Sequence, residues 1–76
     1  MKELLEFIAK SLVEHPDDVR VEQKGTENSI VLELHVNDND MGKVIGKQGR
    51  IAKSIRSVMK AAASKNNVKV SVDIVG

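Results

Sequence analysis

Residues 44–51 read Val-Ile-Gly-Lys-Gln-Gly-Arg-Ile and place two glycines three positions apart between apolar residues. Glycine permits a tight turn whose backbone a ligand can approach without meeting a Cβ atom. A helix that begins directly after such a turn presents free amides and the positive end of its dipole, and both attract phosphate. Lys47 and Arg50 add positive charge at the same place. The stretch predicts an anion-binding loop; the alternative is a plain helical connection in which Gly46 only ends a helix.

The N-terminal half shows first a helical and then a strand period. The apolar side of the predicted helix comprises Leu4, Leu5, Ile8 and Leu12. The helix should end near His15, because a residue that precedes a proline, here Pro16, is pushed out of the α region. Apolar and polar residues then alternate over residues 19–22 and again over residues 30–36, which predicts two strands. The turn at residues 25–28 between them is short, so we expect an antiparallel hairpin.

Two helices and a strand are predicted in the C-terminal half. Residues 37–40 are Asn and Asp, which favour helix N-caps, and a short helix is expected over residues 41–45. A longer helix is expected from Arg50 to about Lys65, and a strand over residues 68–74. The apolar face of the longer helix comprises Ile51, Ile55, Val58, Met59 and Ala62.

The connection between the second and third strands decides the topology. It contains both C-terminal helices, and a connection of that kind joins parallel strands, nearly always in the right-handed sense. We therefore expect an α+β fold of order α-β-β-α-α-β. Its three-stranded mixed sheet should run in order 1-2-3 with the helices packed on one face, leaving the other face open.

The glycine loop resembles the GxxG loop of the KH domain in its usual setting of Val-Ile-Gly-x-x-Gly-x-x-Ile. Here the run occupies residues 44–52, and Ile51 stands one place earlier than in the commonest spacing. The element order is similar to that of the bacterial type II KH domain. With its length and its last five residues, Val-Asp-Ile-Val-Gly, the whole chain resembles the KhpA family of small bacterial proteins with one KH domain over residues 1–76.

This resemblance implies binding of single-stranded RNA, with the loop clamping about four nucleotides. It also implies an RNA chaperone or post-transcriptional regulator that acts with a KhpB-like KH protein and influences cell-wall growth and cell length. By the same resemblance Gly46, Lys47, Gln48 and Gly49 would hold the RNA backbone. Val44, Ile45 and Ile51 would form an apolar floor under the bases or the core beneath it. Lys43, Arg50 and Lys53 would lie within electrostatic reach.

Charge is divided unevenly along the chain, although the totals of 12 basic and 11 acidic residues nearly balance. Residues 1–40 hold 10 of the acids and 4 of the bases, and no acid occurs from Met41 to Val72. A stretch of one sign favours an anionic partner. The alternative is that the acidic half folds over the basic half and neutralises it. Of the basic residues beyond Lys53, Arg56 and Lys60 are expected to be solvated or to steer ligands from a distance.

Several other functions are excluded by composition and spacing. The chain has no Cys, so thiolate chemistry, disulfides and zinc fingers are excluded, and its single Phe leaves no set of aromatic side chains for base stacking. The spacing of glycines matches neither a Walker loop nor a dinucleotide-binding motif. Glu33 and His35 share one face of a strand, but two ligands do not make a metal site. We expect no enzyme activity, metal, cofactor or small-molecule substrate.

The N-terminus does not read as a signal peptide, and no apolar run approaches the ~20 residues of a membrane span. We therefore expect a cytoplasmic protein without a membrane partner. One copy engages few phosphates, so a homodimer or a heterodimer with a KhpB-like protein is expected to supply avidity. Two alternatives stay open: a protein-interaction module whose partner holds the RNA, and a protein that binds single-stranded DNA.

Overall fold

The computed structural model describes residues 1–75, and it confirms the predicted order of elements and the α+β class. The helices are α1 (Lys2–Leu12), α2 (Met41–Ile45) and α3 (Arg50–Ser64), and the strands are β1 (Arg20–Gly25), β2 (Ser29–His35) and β3 (Lys69–Val75). Short 3-10 turns occupy Pro16–Asp18, Asp38–Asp40 and Lys47–Gly49. In the described part of the chain, none of the helices has the length and apolar composition of a membrane span.

The sheet has the predicted order β1-β2-β3. β1 and β2 are antiparallel, with Arg20 opposite His35 and Gly25 opposite Ile30. β2 and β3 are parallel, and His35 lies opposite Val75. The two-helix connection therefore joins parallel strands as predicted.

One face of the sheet is buried under the helices and the other is open. The buried strand residues are Val21, Ile30, Leu32, Leu34 and Val72. They alternate with polar residues such as Glu22 and Glu33, which point to the open face, as the strand period requires. The one-sided packing predicted from the sequence is confirmed, and it separates the open face of the sheet from the surface formed by the helices.

The first helix ends earlier than predicted. α1 stops at Leu12, and Val13 is already extended, with φ −96° and ψ 161°. The proline therefore does not decide the end of this helix. The backbone N–H groups of Glu14 and His15 instead donate to the carboxylate of Asp40, 3.1 and 3.0 Å away, which holds the chain in a non-helical path.

The apolar face of α3 is rotated from the predicted one. The residues it buries are Ala52, Ile55, Met59 and Ala63. Val58, expected on the apolar face, is instead 49% exposed, because it lies to one side of the residues that α3 buries. Phe7 on α1 is 71% exposed and is not a core residue. The helical layer therefore carries apolar side chains on its outer surface.

Candidate nucleic-acid interface

The loop between α2 and α3, Gly46–Gly49, is named here the phosphate loop. Gly46 has φ 77° and ψ 174°, Gln48 has φ 58° and Gly49 has φ 73°. The N–H of Gly46 donates to the carbonyl of Gly42 at 2.9 Å, and the N–H of Gly49 donates to that of Gly46 at 3.1 Å. Three residues with positive φ therefore reverse the chain within one turn, so that α3 begins directly after the loop.

The two glycines of the phosphate loop have different surroundings. A Cβ atom on Gly46 would lie 2.6 Å from Cγ1 and 2.9 Å from the backbone N of Ile51, whereas one on Gly49 would have no atom within 4 Å. Gly46 is thus required by its contact with Ile51, and Gly49 faces open space. This contact also gives a structural role to Ile51, whose position departs from the commonest spacing of the motif. The side of the loop at Gly49 is the one that a ligand can approach.

The apolar residues beside the loop belong to the core more than to an exposed floor. Val44 is fully buried. Ile45 and Ile51 are partly buried and pack against the core cluster. Of the two roles predicted for these residues, the structure therefore supports the core beneath the loop, and direct contact of Val44 with a ligand is not possible in this conformation.

The charged residues predicted for the site divide into two groups. Lys47, Arg50 and Lys53 are exposed, and within residues 1–75 none of them has an ion-pair partner. Lys43 instead places its Nζ 2.6 Å from Oε1 of Glu14 and 3.8 Å from Oδ1 of Asp40.

The pair formed by Lys43 has a clear electrostatic effect. The hydrogen bond from Lys43 holds the pKa of the Glu14 carboxyl below its usual value. The charge of Lys43 is therefore largely neutralised by Glu14. The first cation of the site that has no ion-pair partner within residues 1–75 is Lys47.

A basic stripe on α3 is formed by the exposed residues Lys53, Arg56 and Lys60. These residues are spaced i, i+3 and i+7 and therefore share one side of the helix. Lys60 lines a hollow of about 610 Å³ and, together with Arg56, a second hollow of about 420 Å³. The two hollows adjoin at Lys60 and form the α3–β3 groove. The Nε of Arg56 donates to the carbonyl of Val72 on β3 at 3.2 Å. Arg56 and Lys60 thus line the groove between α3 and β3, although both remain exposed, whereas Lys53 lines neither hollow.

The opposite side of α3 is apolar and faces α1. The two helices enclose a groove of about 430 Å³, the α1–α3 groove. Its lining residues are Leu4, Phe7, Ile8 and Leu12 of α1 and Ile51, Ser54, Ile55 and Val58 of α3. Because 100° separates successive residues of a helix, Val58 and Lys60 lie on nearly opposite sides of α3. The helix therefore divides a basic groove from an apolar one.

A family model described as KhpA/KhpB, KH domain, matches residues 2–74. The chain belongs to this family. The resemblance predicted from the GxxG loop and the order of elements is thereby confirmed.

Relatives in this family are similar over their full length. "RNA-binding protein KhpA" of Clostridium perfringens is 65% identical over 75 residues, which cover 99% of this chain and 100% of the relative. The protein of the same name in Halalkalibacterium halodurans is 56% identical and covers 99% of both chains. These names describe binding and no reaction, in agreement with the prediction that the chain is not an enzyme.

Solved structures of Era contain a similar fold. Aquifex aeolicus Era bound to GDP and AlF4⁻ superposes with a TM-score of 0.70 at 20% identity, over 97% of this chain. Era in complex with MgGDPNP and nucleotides 1506–1542 of 16S ribosomal RNA gives a TM-score of 0.56 at 24% identity, over 96% of this chain. The chain spans 30% and 28% of those two proteins. At such identities the likeness shows the fold alone.

Proposed function

We propose that this protein binds single-stranded RNA and that the phosphate loop clamps the RNA backbone. The observation that carries the proposal is the open side of the loop at Gly49, which lies at the positive end of α3. It lies between the charges of Lys47 and Arg50, which have no ion-pair partner in the part of the chain that the structure describes. The names of the relatives in the KhpA family support it. No acidic residue occurs from Met41 to Val72, the stretch that contains the loop and α3, although Asp73 lines one end of the α3–β3 groove.

The α3–β3 groove supplies a path for the nucleotides that follow the clamp. Lys53 and Lys60 are separated by about 10 Å along α3 at 1.5 Å per residue, a span suited to a few nucleotides. With one Phe and no Tyr or Trp, this path holds RNA by charge and backbone hydrogen bonds more than by stacking. Affinity should therefore be modest and should fall as salt rises.

The test is the double substitution Lys47→Asp with Gln48→Asp. It removes one cation and adds two carboxylates beside the phosphate, so we expect the affinity for a single-stranded RNA oligomer to fall at least about tenfold, or ~1.4 kcal/mol. The matched control is Lys10→Asp with Ser11→Asp, the same charge change at exposed positions of α1. Fluorescence anisotropy measures binding, and circular dichroism checks folding. Unchanged affinity in the folded loop variant contradicts the clamp.

Preference for RNA over DNA is a separate part of the proposal. RNA and DNA oligomers of matched sequence compete for the protein in a salt titration, and we expect RNA to bind more tightly. Equal affinity would favour binding of single strands of either kind. Crosslinking in cells, followed by sequencing of the bound fragments, then identifies the preferred targets.

A dimer is proposed through the α1–α3 groove, either with a second copy or with a KhpB-like protein. The groove exposes Phe7 and Val58 in one apolar patch, and it lies away from the basic stripe, so a dimer would leave two clamps free and gain avidity. Val58→Asp should weaken association at least tenfold, because it puts a charge into an apolar interface.

The control for the dimer is Ser57→Asp, a substitution at the adjacent exposed position that does not line the groove. Analytical ultracentrifugation of the protein alone and with a KhpB-like partner measures both states. If Val58→Asp abolishes partner binding and RNA binding together while the loop variant keeps both, the alternative of an interaction module whose partner holds the RNA is favoured.

The family resemblance extends the proposal to an RNA chaperone of the cytoplasm that affects cell-wall growth and cell length. A strand-annealing assay measures the chaperone activity directly, and the loop variant should lose it in proportion to its loss of RNA affinity. In cells, the same variant should reproduce the change in cell length caused by deletion. A loop variant that restores normal length would separate that role from RNA binding.

A further inference from the structure

The open face of the sheet carries a row of carboxylates. Glu22 on β1 lies directly opposite Glu33 on β2, and Glu33 lies opposite Asp73 on β3. Like charges directly opposite one another destabilise a sheet. Such a row therefore points to positive charge above this face.

His35 lies beside this acidic row, two residues along β2 from Glu33. Its Nε2 is buried, has no hydrogen-bond partner within residues 1–75, and lies 3.8 Å from Oε2 of Glu22 and 3.8 Å from Oε1 of Glu33. These distances are too long for hydrogen bonds. A buried ring nitrogen without a partner is unusual, and here it sits between two carboxylates.

We infer that Glu22, Glu33 and His35 form a site for a divalent cation of the zinc type. One ligand atom from each residue lies within 4.8 Å of the other two. With ligand bonds of about 2.0–2.2 Å, a tetrahedral zinc ion holds its ligand atoms about 3.4 Å apart, so rotations of the carboxylate side chains must bring the three ligand atoms closer by up to about 1.4 Å. Imidazole combined with carboxylate suits zinc, nickel or copper better than magnesium or calcium.

The site could not be found from spacing along one strand. Glu33 and His35 are only two ligands. The third, Glu22, lies on β1, and the pairing of β1 with β2 places it opposite Glu33. A tetrahedral ion held by these three groups keeps one position for water, and it would tie the two strands of the hairpin together. The site lies on the face of the sheet opposite the helices, so it is independent of the proposed RNA clamp.

Two cations of the protein compete for the same carboxylates. Nζ of Lys24 lies 3.2 Å from Oε1 of Glu33, and Nε of Arg20 lies 3.7 Å from Oε1 of Glu22. The hydrogen bond from Lys24 is the main cause of a pKa of the Glu33 carboxyl below its usual value, although burial opposes it. The other carboxylate oxygen of Glu22, Oε2, is the one that lies 3.8 Å from Nε2 of His35.

Calorimetric titration of the whole protein with zinc chloride tests the site, with magnesium chloride as the comparison. We expect saturable binding of one zinc ion and no saturable binding of magnesium. His35→Gln should abolish it, whereas His15→Gln, which changes the other histidine of the chain, should not. The 15N shift of the His35 ring nitrogen should move on addition of zinc. Equal zinc affinity in wild type and His35→Gln, or loss in His15→Gln, overturns the inference.

A second variant keeps the test decisive if His35→Gln folds poorly. Lys24→Met removes the competing ammonium, so zinc affinity should rise, by at most roughly fivefold, the equivalent of an exposed ion pair of about 1 kcal/mol. Zinc should also raise the thermal unfolding midpoint of wild type and of Lys24→Met. Affinity that stays the same or falls in Lys24→Met contradicts a shared carboxylate site.

Discussion

The charged groups at the two ends of α2 differ in burial and in pairing. At its start, the fully buried carboxylate of Asp40 accepts hydrogen bonds from the backbone N–H groups of Glu14 and His15. Nδ1 of the His15 ring lies 3.0 Å from Oδ2 of Asp40. At its end, the phosphate loop leaves the exposed ammonium of Lys47 without an ion-pair partner in residues 1–75. Only five helical residues separate these two environments.

This contrast shows how the protein separates anchoring from binding. Asp40 links the segment after α1 to the start of α2, because its carboxylate accepts the backbone N–H groups of Glu14 and His15. These hydrogen bonds fix the position of α2 and therefore of the phosphate loop that follows it. The positive charge that remains without an ion-pair partner among residues 1–75 lies beyond that anchor, on Lys47, Arg50 and Lys53. A ligand phosphate would therefore complete an arrangement that the fold leaves incomplete at one end only.

The largest expected effect is the loss of stability on substitution of Gly46, the glycine of the loop that contacts Ile51. Gly46→Ala should destabilise the fold by about 2–5 kcal/mol, because an alanine would be strained at this φ and ψ and its Cβ would collide with Ile51. Urea unfolding followed by circular dichroism measures the loss. A loss below about 1 kcal/mol would show that the contact with Ile51 relaxes easily.

The second effect is at the start of α2 and depends on pH. Burial raises the pKa of Asp40, but the hydrogen bonds from Glu14 and His15 outweigh it and hold the pKa below its usual value. Asp40 therefore contributes stability above its unfolded pKa of about 3.9, and this contribution is lost as pH falls through the folded value. Asp40→Asn should be less stable than wild type at neutral pH.

The difference between wild type and Asp40→Asn should shrink as pH falls from about 4 through the lowered pKa of Asp40 in the folded protein, because both proteins then lack the charge. Urea unfolding at a series of pH values measures it, and the comparison cancels the contributions of other carboxyls. A difference that is constant with pH would mean that the carboxylate is not held by these donors. It would also remove the electrostatic contrast between the two ends of α2.

The third effect distinguishes Gly49, which faces open space, from Gly46, which contacts Ile51. Gly49→Ala should cost only about 1–2 kcal/mol, the penalty of positive φ for an alanine, because no atom lies within 4 Å of the new Cβ. RNA affinity should nevertheless fall, since the methyl group occupies the space through which the phosphate backbone approaches. Urea unfolding and anisotropy on the same sample compare the two losses. Full RNA affinity in Gly49→Ala would contradict the direction of approach.

Local patterns were enough to predict the loop and its helices. The glycine spacing at residues 46–49, the strand period at residues 30–36 and the polar break at residues 37–40 each depend on neighbours in the chain. Because these local preferences agree with one another, the order of elements and the mixed sheet could be predicted before any tertiary contact was known.

Contacts between distant segments could not be predicted in the same way. Asp40 looks like an N-cap in the sequence, yet its carboxylate accepts from residues 25 and 26 positions earlier. The same packing pairs Lys43 with Glu14 and leaves Val58 half exposed. Burial and pairing of this kind depend on how α1 and α3 are placed on the sheet, which periodicity alone does not determine.

The smallest expected effect compares two lysines four positions apart. Lys47→Gln should lower the slope of log affinity for single-stranded RNA against log salt by about 0.7, the value for one phosphate contact on a single strand. Lys43→Gln should leave the slope unchanged, because Lys43 is already neutralised by Glu14 and Asp40. Its loss should appear in stability instead, by up to about 1 kcal/mol for a partly exposed pair. Equal slopes in the two variants would show that RNA displaces Glu14 from Lys43, so that both ends of α2 contribute to binding.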